Sequence, residues 1–241
     1  MTFEPLLKIP IGDRIERNFI ALMLGLMTMI TFTNVVIRKL QEMAFWRSDW
    51  FEPWAEPLST FGLQSLETTV FLFAWLGIVG TAYMVRINAQ LGVDVALNYM
   101  SPSWRKAATL LAVCSCILYT LLLLKGSWDY WAPFANLPPT DGRIIPEGFK
   151  TRYLTQGYYE VNDIVMPDWG QFLATWFNDG EAYEKIPRFI PYFALPLGIT
   201  MLLWRYLRVA VDVMQDRASM IIASHEAEDL VDQAAAEADK D

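Results

Sequence analysis

The chain has 241 residues, of which 54% are hydrophobic and 14% aromatic, and its mean hydropathy is +0.24. This average predicts membrane spans separated by substantial polar segments, because a wholly embedded chain would be more apolar and an ordinary soluble domain less so. The net charge of −8 excludes the broadly basic surface of a nucleic-acid-binding protein, so we expect no nucleic acid as a partner.

Four apolar runs are long enough to cross a bilayer, which takes about 20 helical residues. The runs are residues 18–37, 66–85, 107–124 and 189–209. The remaining segments are an N-terminal segment 1–17, connectors 38–65, 86–106 and 125–188, and an acidic tail 210–241. The sequence therefore predicts an all-α integral membrane protein with four transmembrane helices, short interfacial amphipathic helices and a long loop between helices 3 and 4.

Four spans place both termini on the same side of the membrane. Lys and Arg are denser in the N-terminal segment, the second connector and the tail than in the other two connectors. Because short cytoplasmic segments carry an excess of these residues, both termini are predicted to be cytoplasmic.

The second span carries a strip of small residues at helical spacing, formed by Ala74, Gly77, Gly80 and Thr81. Such strips let helices approach closely, and the neighbouring helix is either another span of this chain or a partner subunit. Trp75 is expected either to pack in the core or to face lipid as an anchor.

Glu67 stands at the mouth of the second span. One interpretation is that its carboxylate pairs with a cation on a partner subunit. The other is a solvated acid at the start of the helix, where the helix dipole favours a negative charge.

The second connector has an amphipathic pattern between Arg86 and Arg105. Its apolar positions share one face and its polar positions Asp94 and Asn98 lie opposite; the apolar ones are Val93, Ala96, Leu97 and Met100. The pattern predicts a short helix lying in the cytoplasmic interface, which Asp94 caps or orients, although a plain polar loop fits as well. Ser101 and Pro102 next predict the start of the third helix, as N-cap and first helical residue.

Metal and cofactor sites are not expected. Cys114 and Cys116 project to opposite sides of a helix, so they neither pair nor share a metal. His225 in the tail is the only histidine, which excludes a bis-histidine haem held by this chain alone. No nucleophile and base set or phosphate-binding glycine motif is present, so we expect no catalytic residue.

The third connector contains a helical pattern of apolar residues, Trp169, Phe172, Leu173 and Trp176. This face is expected either to meet the membrane surface or a partner, or to pack back on the chain's own helices. In the fourth span, Pro196 and Gly198 predict a kink that serves packing.

The first and third spans have no ionisable residue, and those of the other two stand near their ends, Glu67 at the mouth of the second and Arg205 near the end of the fourth. An ion or substrate pathway usually carries ionisable residues inside the spans, so none is expected in this chain alone. Two classes of protein remain. The chain is either a scaffold subunit of a larger membrane machine, or a four-helix assembly or anchor subunit of a redox or enzyme complex.

A spacing pattern across the second span resembles a known family. Its residues are Glu67, Trp75, Gly80, Arg86, Leu91, Val93 and Asp94, and the segments NVVIRKL (34–40) and YFALPLG (192–198) are also similar. The pattern resembles the small permease subunit of tripartite ATP-independent periplasmic (TRAP) transporters, the DctQ family. Gln90 and Asn88 depart from it, since members commonly have His and Gly there.

The resemblance implies a division of labour among three partners in the bacterial inner membrane. A large multi-span permease subunit carries the substrate and sodium sites and makes the elevator-type movement of transport. The small subunit braces it within the membrane lipids, and a periplasmic solute-binding protein delivers an organic acid. The third connector is longer than is usual in the family, so the resemblance implies no role for it; as a separate hypothesis, we expect it to face the periplasm and to help dock the binding protein. In this setting we expect structural or subunit-interface positions and no ligand sites at Glu67, Trp75, Gly77, Gly80, Arg86 and Asp94.

Overall fold

A computed structural model describes residues 11–42, 52–87, 100–145 and 156–215. The long helices are α1 (Ile11–Glu42), α2 (Glu52–Arg86), α3 (Pro102–Trp131) and α6 (Ala194–Met214). Among the described residues, four helices are long and apolar enough to cross a membrane. The predicted four-span helical fold is therefore confirmed.

The third connector is folded. A 3₁₀ turn, Ala132–Ala135, follows α3, and strand β1 (Glu160–Val165) pairs antiparallel with β2 (Lys185–Pro187). Between the strands lie a second 3₁₀ turn, Asp168–Gly170, and helix α4 (Phe172–Phe177); helix α5 (Phe189–Tyr192) follows β2. The predicted long loop is thus a strand pair with short helices, which departs locally from an all-α fold. The pattern was missed because β2 has three residues, too few to show alternation.

Helix starts follow from local sequence. The third helix begins at Pro102, as the Ser-Pro pair predicts, and the Arg105 amide donates to the Ser101 carbonyl at 2.9 Å. By contrast, α2 begins at Glu52, well before the apolar run. Glu67 therefore lies inside a helix and not at its start.

The described chain divides into two compact units. The first comprises the described residues up to Gly80 and those within Leu123–Ile199. Its core is built from the end of α3, the 3₁₀ turn and the folded connector, with members Trp131, Ala132, Phe134, Ala135, Met166, Ala174, Tyr183 and Phe189. Aromatic rings close this core, for example Phe177 and Phe189, whose centroids lie 4.3 Å apart.

The second unit comprises the described residues within Thr81–Leu122 and those from Thr200 onward. Four valines from three helices form its core: Val85, Val113, Val209 and Val213. At its edge the Lys106 ammonium donates to the Met214 carbonyl at 3.4 Å, which places a cation at the C-terminus of α6.

The fourth span is interrupted one turn before Pro196. Helix α5 ends at Tyr192 and α6 begins at Ala194, so Pro196 falls in the first turn of α6, where its missing N–H has no intrahelical role. Gly198 packs against α2, because a Cβ at this position would overlap the Ile78 side chain. The packing role expected for this Pro-Gly pair is visible at Gly198.

The predicted interfacial helix around Asp94 and most of the acidic tail lie outside the described residues.

Candidate functional site

Glu67 connects the second span to the third connector. Its Oε1 accepts a hydrogen bond from the Asn162 amide at 2.8 Å, and its Oε2 accepts one from the Asp163 amide at 2.7 Å. Both donors are backbone N–H groups of β1. A single carboxylate therefore holds the strand pair against α2, which is a role that neither sequence interpretation of Glu67 included.

The concave surface beside Glu67 has a volume of about 340 Å³ and includes Arg188 among its lining residues. The Arg188 Nε donates to the Glu160 carbonyl at 2.8 Å, and the guanidinium lies 5.6 Å from the centre of the Tyr159 ring. The Lys185 ammonium contacts the Asn162 carbonyl. Both cations thus bind the connector's own backbone, as expected of a structural site.

Tyr158 and Tyr159 stack on the surface next to this site, with ring centroids 4.6 Å apart. The hydrogen bond to Tyr159 raises the pKa of the Tyr158 hydroxyl above its ordinary value, so the Tyr158 phenol stays neutral through the physiological range.

Asn136 joins three parts of the connector. Its backbone is left-handed, with φ 52° and ψ 37°. Its Oδ1 accepts from the Gly157 amide at 2.9 Å, and its Nδ2 donates to the Phe177 carbonyl at 2.5 Å. The Tyr183 hydroxyl donates to the Gly157 carbonyl at 2.7 Å. Sequence reasoning missed Asn136, although Asn is among the few non-glycine residues that tolerate this backbone region.

Gly157 is required at this junction. A Cβ there would lie 2.6 Å from the Phe177 carbonyl oxygen and would also overlap the Asn136 amide. Because Gly157 has no side chain, its backbone can lie against the backbone at Phe177 and the side-chain amide of Asn136.

The end of α3 is fastened to the following turn by a closed polar cluster. The Lys125 ammonium lies 2.7 Å from Asp129 Oδ2 and 2.7 Å from the Thr140 hydroxyl. The Thr140 amide donates to Asp129 Oδ1 at 2.6 Å, and its hydroxyl donates to Oδ2 at 2.8 Å. Lys125 and Asp129 thus neutralise each other and fix the chain where it leaves the third helix.

The 3₁₀ turn Asp168–Gly170 and helix α4 present aromatic side chains to their surroundings. Trp169 is 80% exposed, Phe172 54% and Trp176 68%, whereas Leu173 packs against the core of the first unit. Most of the aromatic area of this face is therefore exposed, which favours a contact with the membrane or a partner over packing on the chain's own helices.

The small-residue strip on α2 also faces outward. Ala74 and Gly77 are exposed and Gly80 is half-buried. A Cβ at Gly77 or Gly80 would meet no atom of the described residues within 4 Å. Trp75, on another face of α2, is half-buried and lies near Trp131 in the wall of an apolar cavity. Arg86 ends α2.

Metal-ligating side chains are scattered. Within the described ranges no group of three or more His, Cys, Asp or Glu side chains is close enough to hold a metal ion. Cys114 and Cys116 are both free thiols on α3. The polar groups of the site can hold the connector on the second span.

Four helices able to cross a membrane and a folded connector held by polar contacts define a multi-pass membrane component. The family model for tripartite ATP-independent periplasmic transporters, DctQ component, matches residues 27–149. The C4-dicarboxylate TRAP transporter small permease protein DctQ of Vibrio cholerae is 39% identical over 218 residues, covering 90% of this chain and 78% of the relative. Its counterpart in Pseudomonas aeruginosa is 33% identical over 127 residues, covering 48% of this chain and 60% of the relative. No solved structure matches the chain.

The chain belongs to the DctQ family of TRAP transporter small permease components. It is a transporter subunit of the inner membrane and not an enzyme. The family membership also decides against the alternative of an anchor for a redox or enzyme complex.

Proposed function

We propose that this chain is the small subunit of a TRAP transporter that takes up C4-dicarboxylates, working with a large multi-span permease subunit and a periplasmic solute-binding protein. The observation that carries the proposal is the 39% identity with the Vibrio cholerae C4-dicarboxylate small permease, which extends over 90% of this chain. The structural contacts around Glu67 and Asn136 are consistent with a scaffold, since substrate and ion sites are left to the large subunit.

The substrate class is tested by uptake of radiolabelled succinate in cells that lack the gene for this chain. We expect uptake to fall to background and to return when the chain is supplied in trans. Uptake of a labelled sialic acid in the same cells is the control. Unchanged succinate uptake, together with loss of the uptake of another organic acid, would support the transporter role and reject C4-dicarboxylates as the substrate.

The outward-facing strip on α2 is the proposed contact with the large subunit. Ala74 is exposed and an added Cβ at Gly80 meets open space in the described residues, so a partner helix can approach this face closely. In the Gly80→Leu variant we expect the amount of large subunit that co-purifies to fall about tenfold, as the loss of roughly 1–2 kcal/mol of helix packing implies.

The matched control for Gly80→Leu is Gly25→Leu in α1, where an added Cβ likewise meets no described atom within 4 Å. Both variants should insert into the membrane normally, which is measured by the membrane fraction of the tagged chain. Equal recovery of the large subunit with Gly80→Leu and the unchanged chain would reject this contact.

Both termini are proposed to be cytoplasmic and the third connector periplasmic, where it helps to dock the binding protein. Ile144 and Ile145 are 88% and 75% exposed on this connector and offer an apolar contact. We expect Asp168→Cys, in a chain with Cys114 and Cys116 replaced by Ser, to react with a membrane-impermeant maleimide in intact cells. His225→Cys in the tail should react only after the membrane is permeabilised, and the reverse pattern would overturn the topology.

A further inference from the structure

An apolar groove runs between α2 and the folded connector in the first unit. It consists of two adjoining depressions, with volumes of about 570 Å³ and 320 Å³. They share three wall residues, Trp75, Ile186 and Ile190. The larger volume lies within the range of about 300–1,000 Å³ that is typical of small-molecule sites. Because the depressions meet at shared side chains, the groove is longer than either of them.

The wall of the groove is apolar. The one hydroxyl among its lining residues is that of Thr68, and this hydroxyl donates to the Gln64 carbonyl at 2.6 Å. The remaining walls are aliphatic and aromatic side chains, together with Gly170. Water that entered such a groove would find few hydrogen-bonding partners, so an apolar ligand is the favoured occupant.

The smaller depression follows the axis of α2, and the larger one adjoins it at Trp75. The α2 wall of the smaller depression is formed by Thr68, Phe71, Leu72 and Trp75. These residues have the spacing of a single helix face and cover about 10 Å along the axis at 1.5 Å per residue. An elongated apolar groove parallel to a membrane-spanning helix fits a hydrocarbon chain better than it fits a compact ligand.

The depth of the groove agrees with a lipid ligand. Thr68 and Trp75 lie in the first half of the apolar run 66–85, on the side of the third connector. This half corresponds to one leaflet of a hydrocarbon core about 30 Å thick. At the connector end, Trp169 lines the groove and is exposed together with Trp176, as is typical of aromatic side chains at the membrane interface.

We propose that this groove binds one acyl chain of a membrane phospholipid from the leaflet on the connector side. The acyl chain fills the space between α2 and the connector and so completes the packing of the connector against the span. The inference depends on the chain spanning a membrane and is independent of the proposed substrate and partners.

The test uses the full chain in vesicles of phosphatidylethanolamine and phosphatidylglycerol that contain a trace of phosphatidylethanolamine with a diazirine in one acyl chain. After irradiation, mass spectrometry locates the lipid adducts. We expect adducts to concentrate on Trp75, Ile186 and Ile190 relative to Phe73, which is 64% exposed on α2 and lines neither depression.

Ile190→Trp should fill the groove and reduce the groove adducts about tenfold, the factor expected when about two methylene groups of the ligand lose their burial. Ile186→Phe is a milder second variant that should act in the same direction. Phe73→Trp adds a similar aromatic side chain outside the groove and should leave the adducts unchanged. The helical content of each variant is checked by circular dichroism.

Equal adduct yields on Phe73 and the groove residues would overturn the proposal. Groove adducts that persist in both filling variants would also overturn it. If the same chain purified with its large subunit shows groove residues shielded from the lipid probe while Phe73 is still labelled, the groove is a protein interface and the lipid assignment is wrong.

Discussion

Replacing Glu67 with alanine should detach the strand pair from α2 and make the connector accessible to protease. The variant leaves the amides of Asn162 and Asp163 without their carboxylate acceptor. Hydrogen bonds to a charged group contribute about 1.5–3 kcal/mol each, and water can replace the partner of the exposed Asn162, so we expect a loss of roughly 2–4 kcal/mol. Trypsin cleavage after Lys185 should then accelerate on the order of 30-fold or more in mild detergent, because 1.4 kcal/mol corresponds to a factor of ten.

Two further variants make the Glu67 measurement specific. Glu56→Ala removes an exposed carboxylate from the same helix and should leave the cleavage rate unchanged. Glu67→Gln keeps one acceptor oxygen but turns an NH₂ group toward the second amide, so cleavage should fall between the original chain and Glu67→Ala. A Glu67→Ala protein that is as resistant as the original chain would show that the hydrophobic contacts of the connector suffice without the carboxylate.

The four spans could be predicted from the sequence because their signal is local. An apolar run of about 20 residues is visible without any partner segment, and the Ser101 and Pro102 pair marks the start of α3 by its own backbone preferences. The small-residue strip with Gly80 was recognised for the same reason. Its contact with the large subunit stays a prediction.

The connector contacts could not be predicted because they join side chains to backbone groups that are far apart in the sequence. Glu67 binds amides that lie almost a hundred residues later, and a backbone amide carries no mark in the sequence. Strand β2 pairs with β1 across an intervening helix, although neither strand alternates cleanly. The sequence could have marked Asn136 as a candidate for left-handed backbone. Its hydrogen-bond donor, the Gly157 amide, and its acceptor, the Phe177 carbonyl, both come from distant positions and could not be predicted.

Glu67 and Asn136 together explain how a small membrane subunit keeps a folded segment beside its spans. Glu67 fixes the strand pair to α2, and Asn136 fixes the chain after α3 to the segments around Gly157 and Phe177. Each contact satisfies backbone groups that would otherwise be unpaired near the membrane, where an unsatisfied polar group is costly. The connector is therefore held by polar contacts at its edges and by an aromatic core at its centre.

Asn136→Asp should destabilise the protein at neutral pH and recover part of the loss at acidic pH. The new carboxylate can still accept from the Gly157 amide, but its second oxygen would face the Phe177 carbonyl oxygen, to which Asn136 donates. Burial and this repulsion favour the protonated form, so the pKa of the new carboxyl is raised in the folded state. Its stabilising contribution is therefore present below the unfolded-state pKa and is lost as pH rises through the folded-state pKa.

The comparison variants for Asn136 separate the charge from the hydrogen bonds. Asn136→Ala loses both hydrogen bonds and places in left-handed backbone a residue that tolerates this region less well than asparagine, so it should cost about 3–5 kcal/mol at all pH values. Asn178 lies in the same connector, and its side-chain amide donates to the Glu181 carbonyl. Asn178→Asp should change the free energy of unfolding by no more than about 0.5 kcal/mol. Thermal unfolding in detergent at acidic and neutral pH measures all three. If Asn136→Asp unfolds at the same temperature at both pH values, the buried amide does not donate to Phe177, and the junction is held by packing around Tyr183 and Gly157 instead.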